Sequence, residues 1–310
     1  MWHNAGMKVM PLEELLRAVC CPMCRGGELV IADDGARCER CDHRYGTERG
    51  VLSFLIADEL SQTNQNEIVA NTFDDPYWIE KMLNKDDWSP LLSQQMAKVI
   101  ELVDGMLPPS RDLFVLGAGT GYDLQLLLKR RSFDRVFASD ISPGATALIA
   151  RALASYSGEL GLFASEFGRC PVPRKEGNVG LVFQALHHAP DAHGALATLL
   201  DHNFDDLVIV EPVTNPPLGL LAKFDLVQRV EYSGTRPDWL HLGRVEALAK
   251  ERGYKVASQT WWEIPPYFAR AWIHERPWAT RAFGDFVDVV SRVTNVMRFG
   301  SMAAIRFERT

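Results

Sequence analysis

Apolar positions along this chain follow two periods. Between residues 112 and 212 short blocks run apolar almost without interruption, as in "LFVL" at 113–116, "GLVF" at 180–183 and "LVIV" at 207–210. Blocks of this kind predict strands buried on both faces. After the first block, "YDLQLLLKRR" changes to helical spacing. Further on, "GRVEALAKERGY" reads as a helix, "KVASQTWW" as a strand, and the closing "SMAAIRFE" alternates enough to be a last, antiparallel strand. Upstream, "LLSQQMAKVIELVDGM" has a helical pattern that Pro108 and Pro109 terminate. Together these elements predict an α/β protein with a doubly wound sheet.

The front of the chain is patterned differently. "ELVIADDGARC" holds two short strands around Asp33-Asp34-Gly35, a hairpin turn signal. Five of the six cysteines lie nearby. Cys21-Pro-Met-Cys24 and Cys38-Glu-Arg-Cys41 form two CxxC pairs separated by 13 residues. Each such turn aims two thiolates at one point, and two turns close a tetrahedral site that suits structural Zn2+. The expectation is a zinc ribbon over residues 1–60, too small to fold without its ion. Cys20 could replace Cys21, but the tighter turn favours Cys21. Cys20 and Cys170 then read as small buried hydrophobes, and His43 as a surface residue.

A chain of 310 residues has room for one large domain beside a small one. The large one is expected over 61–310, with a helical cap at 61–110. The opening "MWHNAGMKVMPLEELLRAV" has acids inside its apolar stretch and no export cleavage pattern, which predicts a cytoplasmic location with reduced thiols. No apolar run reaches 18 residues, so no membrane helix is expected. The net charge of −7 divides as −3 over residues 1–60, −8 over 61–211 and +4 over 212–310. A basic nucleic-acid footprint is missing from that balance.

The chemistry concentrates behind the first block. Gly117-Ala118-Gly119-Thr120-Gly121 turns the chain from strand to helix, so backbone amides can approach a ligand closely. The next strand, "RVFASD", ends in Asp140, where an acid can grip two ribose hydroxyls. These features alone fit NAD, FAD and S-adenosylmethionine equally.

"FASDISPGATALIARA", "LFASEFGRCPVP", "GNVGLVFQALHHAPD" and "LVIVEPV" together resemble class I S-adenosylmethionine-dependent methyltransferases over residues 111–213. The first sixty residues, "PLEELLRAVCCPMC" through "YGTERGVLSFL", resemble the small zinc-ribbon activators that partner transfer-RNA and release-factor methyltransferases. The first resemblance implies a Rossmann-like seven-stranded sheet and S-adenosylmethionine as cofactor. It implies that Gly117, Gly119 and Gly121 line the methionine part and that Asp140 binds the ribose. Glu166 would face the adenine amino group, Phe167 would pack on the ring, and Gln184 would face the methyl. The chain departs from the family at Val115 and Asn178, where acids are usual, so a degenerate, non-catalytic domain is one reading.

His187 and His188 follow the fourth strand at the ligand edge, where a histidine can serve as general base or simply cap and pack. Glu211 ends the fifth strand, able to orient an amine or to anchor the cap. Segments 212–243 and 263–298, with Trp261 and Trp262 just before the second, carry Trp239, Trp272, Trp278, Tyr232 and Tyr267 among arginines, which suits an apolar acceptor chamber or lid. Tyr77 and Trp78 could close over the cofactor. The expected activity is O- or N-methylation of a small, specialised metabolite. An RNA base methyltransferase and a scaffold docking a protein partner through its ribbon are the alternatives. Self-docking of the ribbon onto the catalytic domain is also open, as is the oligomeric state.

Overall fold

The computed structural model describes residues 8–72, 74, 79–80, 90–173, 175–202, 204–223, 237–263 and 276–310. The front contains β1 (Lys8–Val9), α1 (Leu12–Ala18), β2 (Leu29–Ala32), β3 (Gly35–Cys38), β4 (Arg44–Tyr45), β5 (Thr47–Glu48) and β6 (Val51–Ser53). Strands β2, β3 and β4 form an antiparallel sheet in which Ala32 pairs with Gly35 across a two-residue turn. Gly35 is required there, because a Cβ would fall 1.9 Å from the Tyr45 carbonyl oxygen.

Next come α2 (Gln62–Ala70), α3 (Pro90–Met106), β7 (Asp112–Leu116), α4 (Tyr122–Leu128), β8 (Arg135–Asp140), α5 (Pro143–Ala152), β9 (Glu159–Ala164) and β10 (Val179–Phe183). The chain continues through α6 (Ala192–Leu200), β11 (Asp206–Pro212), α7 (Pro216–Lys223), α8 (Leu242–Glu251), β12 (Tyr254–Trp261), α9 (Pro277–Met297) and β13 (Met302–Arg309). The large sheet runs β12-β13-β11-β10-β7-β8-β9-β6-β5. Strands β7 to β11 pair in parallel, and β13 is antiparallel to both β11 and β12. Strands β7 to β13 make the doubly wound, Rossmann-like seven-stranded sheet with an antiparallel last strand that the sequence predicted, and β1, β5 and β6 extend it to ten strands. Strand order reverses beside β7, which opens a crevice at the carboxyl ends of β7 and β10.

Alternation within each strand divides the core into two layers. Leu113 and Val115 of β7, Val136 and Ala138 of β8, and Val208 and Val210 of β11 face the layer beneath Val99, Ile100 and Val103 of α3. Phe114, Leu116, Phe137, Leu207 and Ile209 face the other, beneath Leu196, Leu199 and Leu200 of α6. The expected cap at 61–110 is therefore corrected in part: α3 covers a sheet face, because its buried stripe is apolar at helical spacing. Among the described residues of that span, α2 and its caps line the crevice through Ser61, Asn64, Glu67 and Asn71.

The ribbon does not stand apart from this sheet. β1 and β6 lie end to end on the outer edge of β9, both parallel to it. The Met10 amide donates to the Leu160 carbonyl at 2.9 Å and the Phe54 amide to the Ala164 carbonyl at 2.8 Å. Leu15, Leu16 and Phe54 share one apolar cluster with Phe137 and Phe163. A boundary at residue 60 thus marks a change of composition and not a break in the core. No helix of the described residues is long and apolar enough to cross a membrane.

Phe54 is fully buried, with its ring 4.9 Å from Tyr45 and 5.8 Å from Phe163. Phe54→Ala is expected to cost about 3–5 kcal/mol. Because the core is shared, denaturant unfolding of the variant should remain one transition at lower midpoint, followed by both tryptophan fluorescence and circular dichroism. A separate early transition for the first sixty residues would contradict the shared core.

Candidate active site and metal centre

Beside the reversal point, the described residues enclose a cleft of about 460 Å³. Its floor is the turn after β7. Gly117 and Gly119 have φ of +68° and +54°, a left-handed backbone that glycine adopts without strain. At Gly117 space also matters: a Cβ would lie 2.3 Å from that of Ala185 and 3.2 Å from the Phe167 ring. Gly121 has a different role from the other two. It does not line the cleft but starts α4, where a Cβ would press on Ile149 at 3.1 Å.

Asp140 joins this turn to the next strand. Its carboxylate accepts the Gly119 amide at 2.9 Å through Oδ2 and the Ser142 amide at 2.9 Å through Oδ1. Burial raises its pKa, opposed by the Ser142 and Gly119 amides, which favour the ionised form. Each oxygen keeps a lone pair, so the group can still accept hydroxyls from a ligand.

Glu166 and Phe167 line the wall beyond β9, and Gln184 lines it beyond β10. Burial raises the Glu166 pKa, with Arg169 working against it. Gln184 has φ of +49°, which turns the chain off β10 while its amide donates to the Val210 carbonyl at 2.8 Å.

The adjacent histidines separate sharply. His188 lines the cleft, whereas His187 does not. The His187 Nδ1 lies 2.7 Å from Glu211 Oε2, deep in the protein. Glu211 is fully buried and also accepts the amides of Ala185 at 2.9 Å, Leu186 at 2.7 Å and His187 at 3.3 Å. Glu211 therefore fixes the turn after β10 and holds His187 in the interior. The expectation of His187 as a base is corrected on that ground.

The start of the expected cap, α2, supplies the roof. Ser61 caps α2 by accepting the Asn64 amide, a start signal present in "SQTN" but hidden in a wholly polar run. From this helix Asn64 donates to Glu166 at 3.2 Å, and buried Glu67 places Oε1 3.4 Å from His188 Nδ1. The Asn71 carbonyl accepts the Ser142 hydroxyl at 2.6 Å. Sequence reading missed all three residues.

At two positions where the residue departs from the resembled pattern, the structure gives it a place in the fold. Val115 is buried mid-strand, and Asn178 donates to the Pro173 carbonyl at 2.8 Å while its own carbonyl receives Asp205. Tyr77, Trp78, Tyr232, Tyr267 and Trp272 fall outside the described residues. Of the remaining aromatics, Trp261 is buried and Trp278 exposed, and neither lines the cleft. Asp191, His193 and Asp238 also approach one another, but as a joint: Asp191 accepts Gly194, Asp238 accepts Ala192, and His193 Nε2 accepts the His241 amide.

At the metal centre the ligand atoms of Cys21, Cys24, Cys38 and Cys41 all lie within 4.8 Å of one another. The Cys21–Cys41 and Cys24–Cys38 sulfurs are each 3.6 Å apart. Four sulfurs at the usual zinc distance define edges of about 3.8 Å, so the set fits Zn2+. A Cβ on Gly27 would meet Cys38 Sγ at 2.4 Å, so glycine leaves the room for both sulfurs. Cys20 instead donates to the Val172 carbonyl at 3.3 Å, and Cys170 is buried.

No family model matches the chain, and no curated protein does. Solved structures do resemble it. Magnesium protoporphyrin IX methyltransferase from Synechocystis PCC 6803 with bound S-adenosylmethionine is 11% identical, covering 81% of this chain and 99% of that one, TM-score 0.49. A chain of the complex between the Haloferax volcanii Trm112 methyltransferase activator and a methyltransferase is 17% identical, covering 76% of this chain and 95% of that one, TM-score 0.47. The [4+2]-cyclase SpnF is 14% identical, covering 69% and 81%, TM-score 0.44.

Replacing Cys24 and Cys38 together by Ser should abolish zinc, measured by elemental analysis as a fall from one ion per chain to none. Residues 20–45 should lose amide protection at the same time. A variant retaining zinc would overturn the ligand assignment.

Proposed function

We propose that this chain is an S-adenosylmethionine-dependent methyltransferase whose acceptor is a small molecule bearing an oxygen or nitrogen nucleophile. The observation that carries the reading is the Asp140 carboxylate, bonded to the Gly119 amide at the floor of a cleft bounded by Glu166, Phe167 and Gln184. When bound, S-adenosylmethionine supplies an electrophilic methyl group. Asp140 accepts the ribose hydroxyls, Phe167 packs against the adenine, and Glu166 accepts its amino group. Gly117 lets the methionine part approach the backbone.

His188 takes the proton that the acceptor loses, and Glu67 is the positioning residue that orients its imidazole. Such a reaction needs little more than alignment of nucleophile and methyl carbon, which a roofed cleft provides. The charge of the cleft supports this acceptor class. Glu59, Glu67, Asp140, Glu166 and Asp191 line the cleft, while no Lys or Arg does among the described residues. A negative wall favours neutral or cationic acceptors and the sulfonium itself over a phosphate backbone. The ribbon serves as an integral edge of the catalytic domain, with its zinc structural.

Titration calorimetry and single-turnover assays test this reading together. Asp140→Ala should weaken S-adenosylhomocysteine binding by about 100-fold, as expected for a lost charged acceptor worth 2–3 kcal/mol. His188→Ala should keep that affinity and lose about 100-fold or more in methyl transfer. Absence of binding to the unaltered chain would overturn the cofactor, and full turnover by His188→Ala would overturn the base.

A further inference from the structure

The longest helix among the described residues, α9, has one face packed and the other bare. Ala279, Phe283 and Val287 meet Leu91 and Leu92 of α3. Thr260 and Trp262 are held by Asn295 Oδ1 at 2.7 Å and Ser291 Oγ at 3.1 Å. The opposite face exposes Trp278, Phe286, Val289, Val293, Val296 and Met297, each between 58% and 86% accessible. Six of the eleven large exposed apolar side chains among the described residues therefore sit on this one helix. Isolated apolar residues on a surface need no explanation, but a contiguous stripe does.

The stripe has a seam. Ala282, Phe286, Val289, Val293 and Val296 follow one another at spacings of four, three, four and three, the a/d repeat of a two-helix contact. Asp285 and Arg292 occupy equivalent flanking positions, one heptad apart. Both are exposed, and neither has an ion-pair partner among the described residues, whereas Asp288 is paired with Lys98.

We infer that this face binds a second copy of the chain through an antiparallel α9–α9 pair. A two-fold axis near the middle of the helix sets Phe286 against Val289 of the other copy, Ala282 against Val293, and Trp278 against Met297. The same register brings Asp285 beside Arg292 of the other copy, and by symmetry Arg292 beside Asp285. Two ion pairs thus bracket the apolar layers, which is how flanking charges select orientation. The helices would run together for about 28 Å, at 1.5 Å per residue from Trp278 to Met297. A membrane surface fits less well: its amphipathic helices carry excess Lys and Arg, whereas these flanks are one acid and one base.

Sedimentation equilibrium across the micromolar range reads the association. The chain should approach twice its 34.8 kDa mass. Asp285→Arg sets like charges together at both ends and should raise the dissociation constant about tenfold or more. Adding Arg292→Asp to Asp285→Arg should restore the dimer, since the exchanged charges again oppose each other. Both substitutions are at exposed positions, and circular dichroism should stay unchanged. A monomer throughout the range, or a double exchange that fails to recover association, would overturn the proposal. Binding of the unaltered monomer to anionic vesicles in place of dimerisation would do so as well.

Discussion

One carboxylate organises the ligand edge of this protein. Asp140 sits where β8 ends and accepts two amides, from Gly119 in the preceding turn and from Ser142 at the start of α5. The bonds join the turn after β7, β8 and the start of α5 at a single atom group, and they hold Gly119, one of the left-handed glycines of the turn. Without a carboxylate of this reach, two buried amides would lose their acceptor, at a cost of roughly 1–3 kcal/mol each. The cleft takes its shape from that constraint, and α2 closes over it through polar contacts to Glu166, His188 and Ser142.

A second carboxylate performs the corresponding task on the far side of the crevice. Glu211 gathers the amides of residues 185–187 and the ring of His187, so the turn after β10 is rigid and His188 alone of the pair reaches the cleft. At the opposite sheet edge, β1 and β6 cover β9 from its two ends. An uncovered parallel edge would expose a row of unpaired amides and carbonyls. The first sixty residues cover that edge and share their core with Phe137 and Phe163 of the large sheet.

The strands at 113–116, 180–183 and 207–210 were legible because burial on both faces leaves continuous apolar runs. The CxxC pairs were legible because metal geometry fixes their spacing. β1 was not, since a strand of two residues carries no period and gains its identity only from β9, and the pairing of β6 with β9 was not legible either. α2 was hidden because its ties to the body are Asn64, Glu67 and Asn71 and not an apolar stripe. His187 and His188 are chemically equivalent in the sequence. Glu211, 24 residues downstream, separates their roles through a contact that no local pattern records. Likewise Gly121 matches its neighbours in the motif, yet Ile149 makes it a packing residue.

Hydrogen–deuterium exchange with and without S-adenosylhomocysteine tests the central claim most directly. The account predicts new protection at the amides of residues 117–121 and 140–142 and across 64–71, with the ribbon unchanged. Binding that leaves 117–121 and 140–142 unprotected, or that protects only the ribbon, would contradict it.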